Sequence, residues 1–224
     1  MKRVGLVVAV ETGALERKYG LPSGKGKSIF DVSLYKTPEY TLYALHSGAG
    51  EIFAAAATQH LIDCFGVDLI LNYGVVGGLS PEMSVGRTVV VNSVVHYDYD
   101  VSAVDGVDRG QYADMTSRYI TLDRSLVIRA QYVDRRLDAV VCASGDKFVA
   151  DAAEKEWLRS EFRAEICDME AAGIALTCQR NEKPCLLIKT VSDATKDGAA
   201  EYWRNKEDAS DLCLGVLDKV VRTL

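Results

Sequence analysis

The sequence predicts an α/β fold, a three-layer αβα sandwich with a mixed central sheet. Two observations carry this expectation. Apolar runs rich in β-branched residues recur at 4–10, 68–72, 87–95, 138–143 and 185–191, and helical segments separate most of them. The run 4–10 lacks the polar–apolar alternation of a half-exposed strand, which suits the middle of a sheet covered by helices on both faces. No repeat, low-complexity stretch or interdomain linker interrupts the chain, so residues 1–224 read as one domain.

Taken in order, the first strand ends at Glu11-Thr12-Gly13 and a helix begins at Ala14. Residues 20–27 carry Gly, Pro and Ser and form a loop, and 28–35 and 40–46 make a hairpin across Thr37-Pro38-Glu39. The turn Ser47-Gly48-Ala49-Gly50 precedes an alanine-rich helix over 51–65; its N–H groups could cradle a ligand or simply serve packing. The strand at 68–72 runs into Tyr73-Gly74-Val75-Val76-Gly77-Gly78-Leu79, where glycines either admit a ligand to the backbone or form a tight bulge. A turn over 81–86, a strand over 87–95 and a polar, aromatic loop from His96 to Gln111 follow. Helices are expected over 122–132, 150–162 and 208–223, strands over 138–143 and 185–191, and a loop over 144–149. Between them, Ile166-Cys167-Asp168-Met169-Glu170-Ala171 reads as a strand entering a helix that Asp168 or Met169 begins.

Composition narrows the function. Hydrophobic residues make up 48% and charged residues 26%, as in an ordinary globular protein. The net charge of −6 offers nucleic acid no electrostatic help and accepts a small neutral or cationic ligand more readily. The six cysteines form no CxxC pair and lie mostly in apolar runs, as buried free thiols of a reducing compartment would. The apolar start reaches only to Glu11, so it reads as a strand rather than a leader; no stretch is long enough to span a membrane. A cytoplasmic protein is expected. His96 beside Asp98 and Asp100 invites a metal reading, but no second histidine cluster stands near, and no metal is expected.

Three carboxylates, Glu11, Glu170 and Asp193, each follow an apolar strand or open the next helix. Glu170 and Asp168 could merely cap a helix. Strand ends along one sheet edge, however, converge on a common crevice. Three acids sharing it suggest acid/base chemistry with a raised pKa. Glycosidic cleavage is one such reaction, needing an acid for the leaving group, a base for water and stabilisation of a cationic sugar. The residue types alone do not select it from other acid/base chemistry.

The set Ala9-Val10-Glu11, Asn72-Tyr73-Gly74-Val75-Val76-Gly77-Gly78-Leu79, Asp168-Met169-Glu170-Ala171 and Val191-Ser192-Asp193-Ala194 resembles the nucleoside phosphorylase/nucleosidase superfamily. It is most similar to the branch that hydrolyses 5′-methylthioadenosine and S-adenosylhomocysteine, in the same order from residue 3 to about 220. The resemblance implies a nucleoside phosphorylase-like fold and hydrolysis of a purine N-glycosidic bond without a cofactor. Glu11 would position and deprotonate water, Asp193 would protonate purine N7, Glu170 would bind ribose hydroxyls and Met169 would pack on the sugar. Phe148 and Val149 would hold the base, with Val76 and Gly77 lining the pocket. A homodimer is implied too, one subunit's loop closing the other's pocket. The phosphorolytic branch carries an arginine just before the Gly-rich strand end; here the sequence is Asn72-Tyr73-Gly74, and Arg87 opens the next strand.

Two departures touch the sugar side. Val75 and Val76 stand where the nucleosidases hold small or hydroxyl residues, and Val104-Asp105-Gly106 lacks the usual aromatic. The alternatives are a hydrolase acting on another purine nucleoside such as futalosine, a phosphorylase with other phosphate contacts, and a nucleoside-binding protein without catalysis.

Overall fold

The structure, a computed structural model, describes residues 2–26, 30–194 and 198–224. The chain begins with strand β1 (Lys2–Val8), helix α1 (Thr12–Tyr19), and strands β2 (Gly24–Gly26), β3 (Val32–Lys36) and β4 (Tyr40–His46). Helix α2 (Glu51–Phe65) leads to β5 (Leu69–Gly78), β6 (Thr88–His96), the short α3 (Ser102–Asp105), β7 (Tyr119–Thr121) and α4 (Arg124–Val133). The chain closes with β8 (Asp138–Ser144), α5 (Ala152–Phe162), β9 (Ile166–Asp168), α6 (Ala171–Arg180), β10 (Cys185–Asp193) and α7 (Gly198–Val221).

The sheet is mixed, as expected. β4, β1, β5 and β10 run parallel, while β10–β6 and β5–β9 are antiparallel. It is not flat. β5 pairs β10 along its length and β9 at Gly77 and Gly78, so β5, β10, β6, β8 and β9 close into a ring.

Helices cover both faces. Along β5, Ile70 faces the cluster built on α2 and α6, while Leu69, Leu71 and Tyr73 face the cluster built on α1, α4 and α7. β10 divides likewise, with Leu187 and Val191 on the first side and Leu186 and Ile188 on the second. A residue-by-residue split of one apolar strand between two cores is what continuous apolar runs anticipate. At about 25 cal/mol per Å² of apolar surface, each fully buried Leu or Ile contributes roughly 2 kcal/mol.

Several boundaries differ from the sequence expectation. The strand expected over 68–72 is longer: β5 continues through the glycine-rich stretch to Gly78. Gly78 is required there, because a Cβ would lie 2.2 Å from the Met83 carbonyl oxygen. Helix α7 begins at Gly198 rather than at 208, its polar first half packing by the cleft. The loop over 20–27 contains β2, which pairs with β3. β7 precedes α4, which starts at Arg124 behind an Asp123 cap rather than at 122. Ser28 and Ile29 of the expected first hairpin strand, and Lys27 of the loop, lie outside the described residues, as does Thr195. Five cysteines are buried thiols; Cys64 is exposed. No helix among the described residues is long and apolar enough to cross a membrane.

Candidate active site

Because β1, β5 and β10 run parallel, their C-terminal ends share one edge. A cleft enclosing about 630 Å³, mouth included, lies there. All eight residues singled out in the sequence line it: Glu11, Val76, Gly77, Phe148, Val149, Met169, Glu170 and Asp193. Gly77 keeps it open, since a Cβ would stand 2.9 Å from Cys167 Sγ and 3.2 Å from Asp193 Oδ2.

At one end, Asp193 is the last residue of β10 and is 2% exposed. Lys155 of α5 donates from Nζ to Asp193 Oδ2 at 2.7 Å and to the Ala194 carbonyl at 2.6 Å, and Ser192 Oγ donates to Asp193 Oδ1 at 3.0 Å. Burial pushes the Asp193 carboxyl up, against the ammonium and hydroxyl that favour its charge. Phe148 lies at the mouth, its ring edge-on to Tyr202 of α7 with centroids 5.6 Å apart.

At the other end, Glu11 sits just beyond β1. The Val75 N–H donates to its Oε1 and the Val10 N–H to its Oε2, each at 3.1 Å, and the Tyr73 hydroxyl donates to its carbonyl oxygen at 2.6 Å. Glu170 is not a capping residue: it occupies the N-cap position of α6 without a side-chain cap bond. Its Oε1 instead accepts from the Gly50 N–H at 3.1 Å, so the glycine turn before α2 binds a carboxylate of the site itself. Burial, and then the charge of Asp168, raise Glu170 to about 7. Asp168 ends β9 rather than starting α6, although its Oδ1 accepts from the Ala171 N–H at 3.2 Å.

Behind these acids lies a buried cation that sequence reasoning passed over. Lys189 of β10 is 1% exposed and its Nζ stands 2.7 Å from Asp168 Oδ2. A Cβ on neighbouring Gly74 would lie 3.5 Å from Lys189 Nζ and 3.4 Å from Glu11 Oε1, so cation and carboxylate approach one another across that glycine. Burial opposes the Lys189 charge, yet Asp168 and Glu170 hold its pKa above the usual lysine value. Asp168 is held below the usual carboxylate range: burial opposes ionisation, but Lys189, the Ser144 hydroxyl and the Ala171 N–H outweigh it. A lysine within the apolar run Leu186-Leu187-Ile188-Lys189-Thr190-Val191 was the available signal, since a lysine in a buried strand must find a partner. Lys155, Tyr202 and Glu51 were also missed; on amphipathic helices such residues default to solvent.

The histidine segment serves structure. His96 Nε2 pairs with Asp98 at 2.8 Å and Nδ1 with the Tyr112 hydroxyl at 2.6 Å. Among the described residues, no group of three or more His, Cys, Asp or Glu side chains is arranged to hold a metal ion. Arg87 is engaged on the surface with Asp138 and does not line the cleft. Of the two departures, Val75 and Val76 line the cleft, whereas Val104 stands exposed on α3.

Known proteins resemble this chain in sequence and fold. The chain is 37% identical over 188 residues, 79% of its length and 80% of the relative's, to a 5′-methylthioadenosine/S-adenosylhomocysteine nucleosidase of Geobacillus sp. (strain WCH70). It is 30% identical over 169 residues, 74% of its length and 72% of the relative's, to an aminodeoxyfutalosine nucleosidase of Campylobacter jejuni. The crystal structure of Helicobacter pylori 5′-methylthioadenosine/S-adenosylhomocysteine nucleosidase superposes with a TM-score of 0.94 at 25% identity, covering 100% of this chain and 99% of that one. The family model for the phosphorylase superfamily matches residues 3–223, and with these likenesses it places the chain: it belongs to the phosphorylase superfamily.

Proposed function

We propose that this chain is a purine nucleoside N-glycosyl hydrolase that cleaves 5′-methylthioadenosine and/or S-adenosylhomocysteine and releases adenine, acting as one domain. The names of its relatives and of its structural neighbours support the reaction. The observation that carries the assignment of residues is the meeting of Glu11, Glu170 and Asp193, distant in sequence, around one cleft.

In this reading the base lies at the Asp193 end beside Phe148 and Val149, and the ribose lies between Glu11, Met169 and Glu170. Asp193 gives its proton to purine N7 as the N9–C1′ bond breaks, so the base leaves neutral. Positive charge develops on the ribosyl ring, where Glu170 and Glu11 face it. Water adds to C1′ and its proton passes to Glu11, whose carboxylate two backbone N–H groups hold in place. Ionised Glu170 accepts from the ribose hydroxyls. No cofactor takes part.

Support for water rather than phosphate as the acceptor comes from the cations near the cleft. Lys189 and Lys155 are each committed to an aspartate at 2.7 Å, Lys147 of the cleft lining pairs with Glu154 at 2.7 Å, and Arg87 is engaged with Asp138. A second reading, hydrolysis of a purine nucleoside with a different 5′ substituent, draws on the Campylobacter jejuni relative and on Val75 and Val76 in the cleft. We further propose a cytoplasmic homodimer; Ile52 and Phe53 of α2 and Val104 of α3 are large apolar side chains left exposed. Light scattering that returns a fully active monomer contradicts the dimer.

The functional test is incubation with 5′-methylthioadenosine, S-adenosylhomocysteine and other purine nucleosides, with and without phosphate, followed by chromatography for free base. Adenine released without phosphate is the expected result. Strict phosphate dependence removes the hydrolase reading, and binding without release favours a nucleoside-binding protein.

A further inference from the structure

Glu51, the first residue of α2, is a carboxyl that the proposed mechanism does not use, yet it is 6% exposed and aimed at the machinery. Its Oε1 is within hydrogen-bond distance of Ser144 Oγ, and its Oε2 accepts from the Gly173 N–H of α6. Gly173 is what lets α2 come so close: a Cβ there would lie 2.4 Å from the Glu51 carbonyl oxygen and 3.0 Å from its Oε2.

The hydroxyl of Ser144 fixes the protonation of this cluster by count. Ser144 Oγ also lies 2.6 Å from Asp168 Oδ1 and accepts from the Ala172 N–H at 3.1 Å. A serine hydroxyl has one hydrogen and two lone pairs. Two ionised carboxylates would both need that one hydrogen, so one of the two must carry a proton. Asp168 is charged, with Lys189 at 2.7 Å and the Ala171 N–H on Oδ1. The proton is therefore on Glu51. The Glu51 O–H then donates to Ser144 Oγ, Ser144 donates to Asp168 Oδ1, and every position on the hydroxyl is used.

We propose that Glu51 is a positioning residue acting as a neutral acid: its proton fixes the Ser144 hydroxyl on Asp168, and Asp168 in turn holds Lys189 at the Glu11–Glu170 end of the cleft. The effect on turnover rests on the nucleosidase reading above; the protonation itself does not. Loss of that proton leaves Ser144 facing two anions and places a further negative charge beside Asp168 and Glu170.

The surroundings agree. Burial, then the Asp168 charge, raise Glu51 to about 8, with the Ser144 hydroxyl and the Gly173 N–H pulling the other way. Around it stand Asp168 on β9, Glu170 before α6, Lys189 on β10, Asp146 after β8, whose Oδ1 accepts from the Glu51 N–H at 2.7 Å, and the phenols of Tyr97 and Tyr112.

Glu51→Gln separates the possibilities, because an amide reproduces a neutral acid: its NH₂ donates to Ser144 and its carbonyl accepts from Gly173. Rates of adenine release and thermal midpoints are to be measured for wild type, Glu51→Gln and Glu51→Ala from pH 5 to 9.5. Glu51→Gln is expected to restore the rate at pH 6.5 to within about threefold of wild type, where Glu51→Ala loses about tenfold or more. Above about pH 8 wild type is expected to lose activity more steeply than Glu51→Gln, because both must keep the Asp193 proton and only wild type can also ionise residue 51. Independently of catalysis, a carboxyl raised on folding stabilises most below its unfolded pKa and loses that contribution as pH rises through the folded one. The wild-type midpoint minus that of Glu51→Gln should therefore fall between about pH 5 and 8 and level off above. Parallel midpoints across the range, or a Glu51→Gln protein that does not fold at neutral pH, overturn the neutral acid. Superimposable alkaline limbs in an active enzyme overturn its influence on the site. A wild type with no turnover on any purine nucleoside, but with the midpoint difference as expected, rejects the nucleosidase reading and leaves Glu51 neutral.

Discussion

The two ends of the cleft each bury a lysine–aspartate pair with the same 2.7 Å separation, and the two aspartates respond in opposite directions. Asp168 is held below the usual carboxylate range, while Asp193 is pushed above it. The difference lies in what surrounds each pair. Asp168 has three favourable neighbours, the paired Lys189 ammonium and two donors, the Ser144 hydroxyl and the Ala171 N–H. Asp193 has two, Lys155 and the Ser192 hydroxyl, and Lys155 is shared with the Ala194 carbonyl. The cleft thus keeps one aspartate as a fixed anion and leaves the other able to hold a proton, which is the separation of roles that acid/base chemistry requires.

Several substitutions break or sharpen this contrast. Glu11→Gln removes the proposed base and should lower kcat by about 10² to 10⁴ with the fold intact, read from steady-state rates and circular dichroism. Next, Lys189→Met strands Asp168 as an unpaired buried anion and should cost about 3–5 kcal/mol in urea denaturation. Lys155→Met should cost less, about 1–3 kcal/mol, because Asp193 can neutralise itself by taking a proton. Equal losses in the two lysine variants would erase the distinction between the pairs.

A pH profile sharpens it further. Glu170, raised to about 7 by burial and then by Asp168, is ionised above that pH and protonated below it. The proposed role needs the carboxylate, so kcat/KM should fall about tenfold per pH unit well below pH 7. A rate that stays flat down to pH 5.5 would contradict that role. The smallest effect is expected for Phe148→Ala, which removes a partly exposed ring at the mouth and should raise KM by a few fold, about 0.5–1.5 kcal/mol.

How much of this was legible in the sequence depends on how local each signal is. The strands that carry the cleft were readable because buried runs such as Leu69-Ile70-Leu71 are apolar on both faces. Glu11, Glu170 and Asp193 were readable because each interrupts or follows such a run, and all three line the cleft. The closed ring was not: it depends on Gly77 and Gly78 pairing with Cys167 and Ile166, long-range contacts with no local pattern. Nor was Tyr202, because the first half of α7 is polar and shows no apolar stripe before Ala209. Lys155 sits in Ala152–Phe162 as any solvent-facing lysine would, and only the fold turns it onto Asp193. Glu51 reads as a favourable acid in a helix's first turn. That it is buried against Ser144 follows from Gly173, more than 120 residues away along the chain.

The central claim, that these carboxylates part a purine from its sugar with water as acceptor, is tested most directly by one side-by-side assay. Free adenine released from 5′-methylthioadenosine in phosphate-free buffer is measured for wild type and Asp193→Asn at matched folded concentration. The account predicts release by wild type and a loss of about 10² or more in Asp193→Asn, an isosteric change that removes the transferable proton. Near-normal release by Asp193→Asn, or none by wild type until phosphate is added, would contradict it.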